Sequence, residues 1–188
     1  MDFSQRAPLE GVADLFWQRR SPRAFVKTSL PEGALARMID AARWSPSCVN
    51  EQPWRFYTST AETFEDYLNL LVEGNQAWAK NASVLGFLVA KRQFDRNGEA
   101  NPYARFDSGA AWMAMTLQAR TEGLYTHGMG GILGDAAAEY LNVDTDRFDV
   151  VMGFAIGVAV DYAELDQEQK VREQPNGRVA LENIWHQR

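Results

Sequence analysis

The sequence predicts an α+β protein, a three-layer α/β/α sandwich with a mixed, mostly antiparallel sheet. Two apolar runs, Val84 to Ala90 and Val150 to Val160, show no polar alternation. Such runs are typical of central strands that are covered on both faces. The helical patterns around them are spaced too irregularly for successive βαβ units. We expect a single domain over residues 1–188.

The composition is that of a globular protein that can bury a large core. Of the 188 residues, 46% are hydrophobic and 12% are aromatic. A formal net charge of −6 argues against nucleic acid as a partner, because phosphate backbones are bound by clustered Lys and Arg. No apolar run approaches the roughly 18 residues of a membrane span, so no membrane partner is expected.

Cysteine and histidine are too few for a disulfide or a typical zinc site, so no metal is expected. Cys48 is the single cysteine, and His127 and His186 are the two histidines. Cys48 lacks a recognisable His and Asp context, which argues against a catalytic thiol. The first residues show no basic region followed by an apolar core, which favours a cytoplasmic location.

The first third of the chain predicts two helices and a strand. The second of these helices is expected to begin at Ser29, which forms a capping box with Glu32, and to end at Trp44. Trp54 to Ser59 alternates apolar and polar residues, as a half-buried strand does. The first helix is expected to end near Arg19, and its apolar stripe consists of Leu9, Val12, Ala13, Phe16 and Trp17.

The middle of the chain predicts further helices around the first apolar run. Ala61 to Glu73 is expected to be helical, and Asn75 is a candidate cap for the next turn. Lys91 to Pro102 is a polar loop. From Tyr103 to Glu122 a long helix is apolar on nearly all sides, so it is central or lies at a subunit interface. Its apolar residues are Phe106, Ala110, Ala111, Met113, Ala114, Met115 and Leu117.

A short strand is expected from Leu124 to Thr126, then a tight turn from Gly128 to Gly131 and a helix from Asp135 to Leu141. The turn is not a dinucleotide fingerprint, because the third glycine of that motif would fall on Leu133. Glycine would allow a ligand to approach the backbone of the turn closely. A plain loop is the alternative.

Two polar segments are the candidates for ligand binding. Arg19, Arg20 and Arg23 surround Ser21 at the end of the first helix, and on their own they are most simply a solvated face that suits the helix dipole. Arg43 to Phe56 carries short polar side chains between two prolines, which suits a flat polar ligand. An ordinary helix-to-strand loop is the alternative there.

Taken together, these segments resemble the nitroreductase family of FMN-dependent enzymes. The resemblance rests on Arg-Arg-Ser-x-Arg-x-Phe at residues 19–25 and on Ser-Pro-Ser-x-x-Asn-x-Gln-Pro-Trp at residues 45–54. A Gly-Gly turn at Gly130 and a late Arg178 before Leu181-Glu182 also match. The resemblance covers essentially the whole chain. It implies an intertwined homodimer with two FMN sites, in which the tail, residues 170–188, wraps the partner subunit.

The resemblance also implies roles for single residues. Arg19, Ser21 and Arg178 would bind the FMN phosphate and ribityl chain, Arg23 would approach N1 and O2 of the ring, and the Gly130 backbone would lie near N5. Arg20 is a candidate that could instead face solvent. The full set of candidate cofactor-binding residues is Arg19, Arg20, Ser21, Arg23, Pro46, Ser47, Cys48, Asn50, Asn75, Met129, Gly130, Gly131, Asn176 and Arg178.

Within that set, Pro46, Ser47, Cys48 and Asn50 would reach the flavin of the partner subunit, and Asn75 would bind the pyrimidine edge. The implied activity is that of an FMN-dependent NAD(P)H oxidoreductase. Hydride would pass from NAD(P)H through flavin N5 to a nitroaromatic, a quinone or a similar acceptor, without a catalytic side chain. Reductive dehalogenation, flavin modification, and flavin binding without turnover are the alternatives.

Overall fold

The computed structural model describes residues 1–188. Its strands are β1 (Phe25–Val26), β2 (Trp54–Thr58), β3 (Val84–Lys91), β4 (Tyr125–Met129) and β5 (Phe148–Ala159). Its α-helices are α1 (Asp14–Gln18), α2 (Ala34–Arg43), α3 (Phe64–Asn69), α4 (Glu73–Ala79), α5 (Ala104–Thr121), α6 (Gly134–Tyr140) and α7 (Gln167–Arg172).

Strand β5 organises the sheet. It pairs with β3, with β4 and with the short β1, and β2 lies beyond β3 at the edge. Every pairing is antiparallel. The α+β class and the mostly antiparallel sheet are therefore confirmed, but the sheet is not mixed, since none of its strand pairs is parallel.

Helices cover both faces of the sheet, and each face has its own apolar core. Successive strand residues point to opposite faces, and so Phe154 and Ile156 belong to one core while Ala155 belongs to the other. Helices α2 and α5 cover the first core, and α3, α4 and α6 cover the second. The result is the expected α/β/α layering.

The first helix is shorter than the sequence predicts. Helix α1 begins at Asp14, and Leu9 and Val12 before it are exposed. A short helix persists only where its apolar face is buried, and this part of the stripe finds no core on its own chain. The predicted end near Arg19 is confirmed, since Arg19 is the C-terminal cap of α1.

The second helix begins later than predicted. The predicted capping box at Ser29 does not form, because Pro31 keeps Leu30 out of the helical region. Helix α2 instead starts after Gly33, which adopts φ 72°, and no side chain caps this end of the helix. The predicted end at Trp44 is confirmed.

Three further features differ from the prediction. The helix expected from Ala61 to Glu73 is divided into α3 and α4, because Leu71 between them forms an isolated bridge with Ile132. Asn75 is not a helix cap, since it lies within α4 after the cap residue Val72. Strand β4 extends to Met129, so the turn consists only of the glycines that follow.

Helix α5 has one buried and one open side. Ala111, Met115 and Ala119 are fully buried in the core, whereas Phe106 is 79% exposed. The other predicted apolar residues, Met113 and Leu117, are half-buried. None of the helices combines the length and apolar character that crossing a membrane requires.

We predict that Gly86→Ala destabilises the fold, because β2 and β5 leave no room for a side chain between them. A Cβ on Gly86 would lie 2.6 Å from the carbonyl oxygen of Tyr57 and would overlap the ring of Phe154. Such overpacking costs about 1–3 kcal/mol, which urea unfolding would measure. Gly74→Ala is the control, since a Cβ on Gly74 meets nothing within 4 Å. Equal stabilities of the two variants would contradict this reading of the packing.

Candidate functional site

A cavity of about 300 Å³ beside the end of α1 collects most of the arginines near the two chain ends. No hydrophobic residue lines it. We call it the basic cavity. It is formed by the N-terminal segment, the turn after α1, strand β4 and the segment after α7. Its arginines are Arg6, Arg19, Arg20, Arg23, Arg172 and Arg178.

Arg20 and Glu173 form a buried ion pair in the wall of the basic cavity. Arg20 Nη1 donates to Glu173 Oε2 at 2.6 Å. The other oxygen of Glu173 accepts the backbone N–H groups of Arg23 and Ala24, at 2.7 and 3.1 Å. Of the two alternatives for Arg20, solvent exposure is excluded, because the residue is only 8% exposed and its guanidinium pairs with a carboxylate. Arg20 lines the cavity but its charge is already matched.

The protein leaves most of the remaining positive charge unmatched. Arg172 pairs with Glu168, but Arg6, Arg19, Arg23 and Arg178 form no salt bridge. Burial lowers the pKa of Arg19, and the nearby guanidinium of Arg178 adds to this effect. Gathered cations are unfavourable unless an anion joins them. The cavity therefore suits a phosphate group, which arginine binds with paired N–H donors.

A second cavity of about 500 Å³ shares Arg19 and Ser21 with the basic cavity. We call it the ring cavity. Thioether and indole groups pack well against flat aromatic rings, and α5, β4 and β5 supply both. Its other lining residues are Trp112, Met113, Thr116, Gly128, Met129, Gly130 and Met152. The two cavities together suit a ligand with an anionic group at one end and a flat apolar body at the other.

The glycine turn after β4 borders the ring cavity. A Cβ on Gly130 would meet nothing within 4 Å, so a ligand can approach its backbone. Gly131 is constrained from behind, because a Cβ there would lie 2.7 Å from Asn75 Nδ2. Asn75 Nδ2 donates to the Gly131 carbonyl at 2.9 Å. Asn75 therefore holds the turn and does not itself line the ring cavity.

The loop between α2 and β2 is held in an unfavourable backbone conformation. Val49, Asn50 and Gln52 have φ values of 48°, 60° and 50°, which is costly for residues other than glycine and is common at functional sites. The Cys48 N–H donates to the buried carboxylate of Asp107 at 3.0 Å. The Gln52 N–H donates to Ser47 Oγ at 2.9 Å.

This loop contributes to neither cavity of its own chain. Pro46, Ser47, Cys48 and Asn50 are absent from both linings. Pro46 and Asn50 are exposed, and Ser47 and Cys48 are half-buried. The expected contact with a flavin in the partner subunit stays a prediction.

Several residues that line the two cavities were not candidates from the sequence. Trp112 and Met152 carried a partial signal, since they lie in a helix and a strand that are apolar on both sides. Arg6 and Glu173 carried none, because their positions depend on contacts across almost the whole chain. The unpredicted lining residues are Arg6, Trp112, Met113, Thr116, His127, Gly128, Met152, Arg172, Glu173, Gln174 and Pro175.

Comparison with known families agrees with this site. The model described as the nitroreductase family matches residues 17–77 and 64–158, which is well over half of the 188 residues. The matched ranges include the arginine cluster after α1, the strained loop, and the glycine turn. The chain belongs to the nitroreductase family.

Individual nitroreductase relatives are similar over parts of the chain. A predicted NADH dehydrogenase/NAD(P)H nitroreductase of Streptomyces coelicolor is 36% identical over 90 residues, which is 47% of this chain and 45% of that protein. The chloronitrobenzene nitroreductase of Comamonas testosteroni is 34% identical over 62 residues, which is 33% of this chain and 27% of that protein. The chain thus matches less than half the length of either relative.

A solved structure, described as an oxidoreductase containing FMN, is similar over nearly the full length. It has a TM-score of 0.89 and 39% sequence identity, and the alignment covers 96% of this chain and 93% of the other. Nearly the whole architecture is therefore shared with a protein described as containing FMN.

We predict that protonation of His127 destabilises the protein. His127 Nδ1 lies 2.8 Å from the Pro22 carbonyl, and the ring packs 4.5 Å from Trp78, measured between centroids. Burial lowers the pKa of His127 from its ordinary value of 6.5, and the charge of Arg23 acts in the same direction, while the Pro22 carbonyl and Glu173 oppose it. The unfolded chain takes up the proton first, so the free energy of unfolding decreases as the pH falls below about 6.5.

Thermal unfolding between pH 7.5 and pH 5, in buffers without phosphate, would measure this effect. His127→Asn places an amide nitrogen near Nδ1 and cannot titrate, so its pH dependence in this range should be flatter than that of the wild type. His186→Asn is the control, because His186 is exposed in the tail. The same slope in wild type and His127→Asn would exclude His127 as the cause.

Proposed function

We propose that this protein is an FMN-dependent oxidoreductase that takes electrons from NAD(P)H and reduces a nitroaromatic, a quinone or a similar acceptor. The observation that carries the proposal is the pair of cavities that share Arg19 and Ser21. One is basic and without hydrophobic lining, and the other presents methionine and tryptophan side chains. FMN has a phosphate at one end and a flat ring at the other.

The residues of the chain would act by binding and orientation. Arg19 and Arg178, which lack carboxylate partners, would bind the phosphate, and the exposed Ser21 would contact the ribityl chain. Trp112, Met129 and the backbone of Gly130 would flank the ring. Arg23 lines the basic cavity and not the adjoining ring cavity, and from there its charge would favour the anionic reduced ring and so raise its potential. FMN itself supplies the two-electron chemistry, so no catalytic side chain is required.

The names of the relatives support this class of reaction. One names an NAD(P)H nitroreductase, one a chloronitrobenzene nitroreductase, and one an oxidoreductase that contains FMN. The single free cysteine, Cys48, suits a reducing compartment such as the cytoplasm.

We predict that the purified protein binds FMN and oxidises NADH or NADPH when a quinone or a nitroaromatic compound is added. Arg178→Ala should weaken FMN binding by about 1.5–3 kcal/mol, because it removes a charge-assisted contact with the phosphate. Titration of the apoprotein with FMN and steady-state NAD(P)H oxidation would measure both properties. Bound FMN without turnover would instead identify a flavin-binding protein, and absence of FMN binding would reject the proposal.

We further propose that the protein is a homodimer in which the strained loop reaches the flavin of the partner subunit. Large apolar side chains are exposed on neighbouring helices, with Phe16 on α1 and Phe106 on α5. Trp44, next to the strained loop, is 75% exposed. Single exposed apolar residues are normal, but several such groups around one functional region are typical of an interface between subunits.

The tail, residues 170–188, would extend this interface. Its last apolar residues, Leu181, Ile184 and Trp185, are exposed on their own chain. A groove of about 1300 Å³ lies between α2 and the edge strand β2, with Trp54 and Phe56 in its lining. We propose that the groove of one subunit receives the apolar tail residues of its partner.

Phe106→Glu should yield a monomer with reduced FMN content. The side chain is 79% exposed on the single chain, so the folded subunit tolerates a charge there, whereas burial of an unpaired carboxylate in an interface is strongly unfavourable. Sedimentation velocity, with absorbance recorded at the flavin band, would report mass and FMN content together. Ala136→Glu adds the same charge to an exposed position on α6 and should remain dimeric. A monomer that keeps full FMN occupancy would falsify the shared site.

A further inference from the structure

Arg6 occupies a place in the basic cavity that no sequence motif indicates. Its Nε donates to the Asn176 carbonyl at 2.8 Å, and its Nη1 donates to the carbonyls of Arg19, at 2.8 Å, and Trp17. These bonds hold the guanidinium between the end of α1 and the segment after α7. Nη2 makes no hydrogen bond to the protein, so two of the five N–H donors of an arginine remain available.

The charge of Arg6 is also unmatched. Burial lowers the pKa of Arg6, and the guanidinium groups of Arg178, Arg19 and Arg20 add to this effect. Glu173 is the one carboxylate in the lining of the basic cavity, and it is already engaged by Arg20 and by backbone N–H groups. Carbonyl oxygens orient a guanidinium without neutralising it. Arg6 is therefore fixed in position and lacks only an anion.

We infer that Arg6 is a third phosphate-binding arginine, which donates from Nη2 to the same phosphate that Arg19 and Arg178 bind. This inference rests on the proposed function. Arg6 lies near the N-terminus and Arg178 near the C-terminus, and both line one cavity of about 300 Å³. A phosphate monoester carries close to two negative charges at neutral pH, so it can engage several guanidinium groups at once.

The consequence is selectivity for the phosphorylated flavin. Riboflavin has the same ring and ribityl chain as FMN but no phosphate. If Arg6 acts on the phosphate, its loss weakens FMN binding and leaves riboflavin binding unchanged. If Arg6 only fastens the segments that carry Arg19 and Arg178, the Arg6→Lys variant, which cannot make the three carbonyl bonds, loses as much FMN affinity as Arg6→Ala.

The experiment titrates full-length apoprotein with FMN and with riboflavin, in a buffer without phosphate. Arg6→Ala should raise the Kd for FMN roughly tenfold to a hundredfold, as expected for loss of one charge-assisted contact, and leave the Kd for riboflavin within about twofold. Arg6→Lys keeps the charge without the planar donors, so its loss for FMN should be smaller. Arg96→Ala is the matched control, because Arg96 is exposed, lies outside both cavities and forms no salt bridge.

Inorganic phosphate provides an independent readout. In the wild type it should compete with FMN but not with riboflavin, and this competition should be weaker in Arg6→Ala. If the wild type prefers FMN and Arg6→Ala loses affinity for both flavins by the same factor, the ratio of the two Kd values is unchanged. That result would overturn the role of Arg6 and leave the proposed function standing. A wild-type protein that binds neither flavin would reject the proposed function as well.

Discussion

The buried ion pair between Arg20 and Glu173 is the interaction on which the basic cavity depends. Glu173 lies after α7, yet its carboxylate binds the guanidinium and the backbone N–H groups of the turn after α1. It thereby joins the two ends of the chain at one place. A buried pair of this kind is stable only while both partners are present and fully hydrogen-bonded. Because Glu173 is fully engaged, the neighbouring arginines keep their charge for a ligand.

The two cavities contribute differently to binding, one through charge and the other through shape. The basic cavity offers guanidinium groups that the protein does not neutralise, and the ring cavity offers polarisable side chains from α5, β4 and β5. Both are built on the antiparallel sheet around β5 and on the long helix beside it. A rigid frame of this kind suits cofactor chemistry, in which the protein contributes orientation and electrostatics.

The strained loop after α2 is also held in a fixed conformation. Its left-handed residues are fixed by Asp107 from α5 and by Ser47 within the loop. The backbone strain is maintained although the loop touches neither cavity of its own chain. The proposed contact with a second subunit rests on this loop and on the exposed side chains of Phe106 and Trp44.

The sequence by itself determined the class of fold, the central strands, the helix ends at Arg19 and Trp44, and the family. These features depend on local apolar patterns, on prolines and on short motifs, which are readable without distant contacts. Only the tertiary structure decided where α2 begins, that Arg20 is buried, and that Arg6 and Glu173 belong to the site. Each of these depends on contacts between residues far apart in the chain, and the energy of burying or pairing a charge is set by those contacts rather than by its neighbours in sequence.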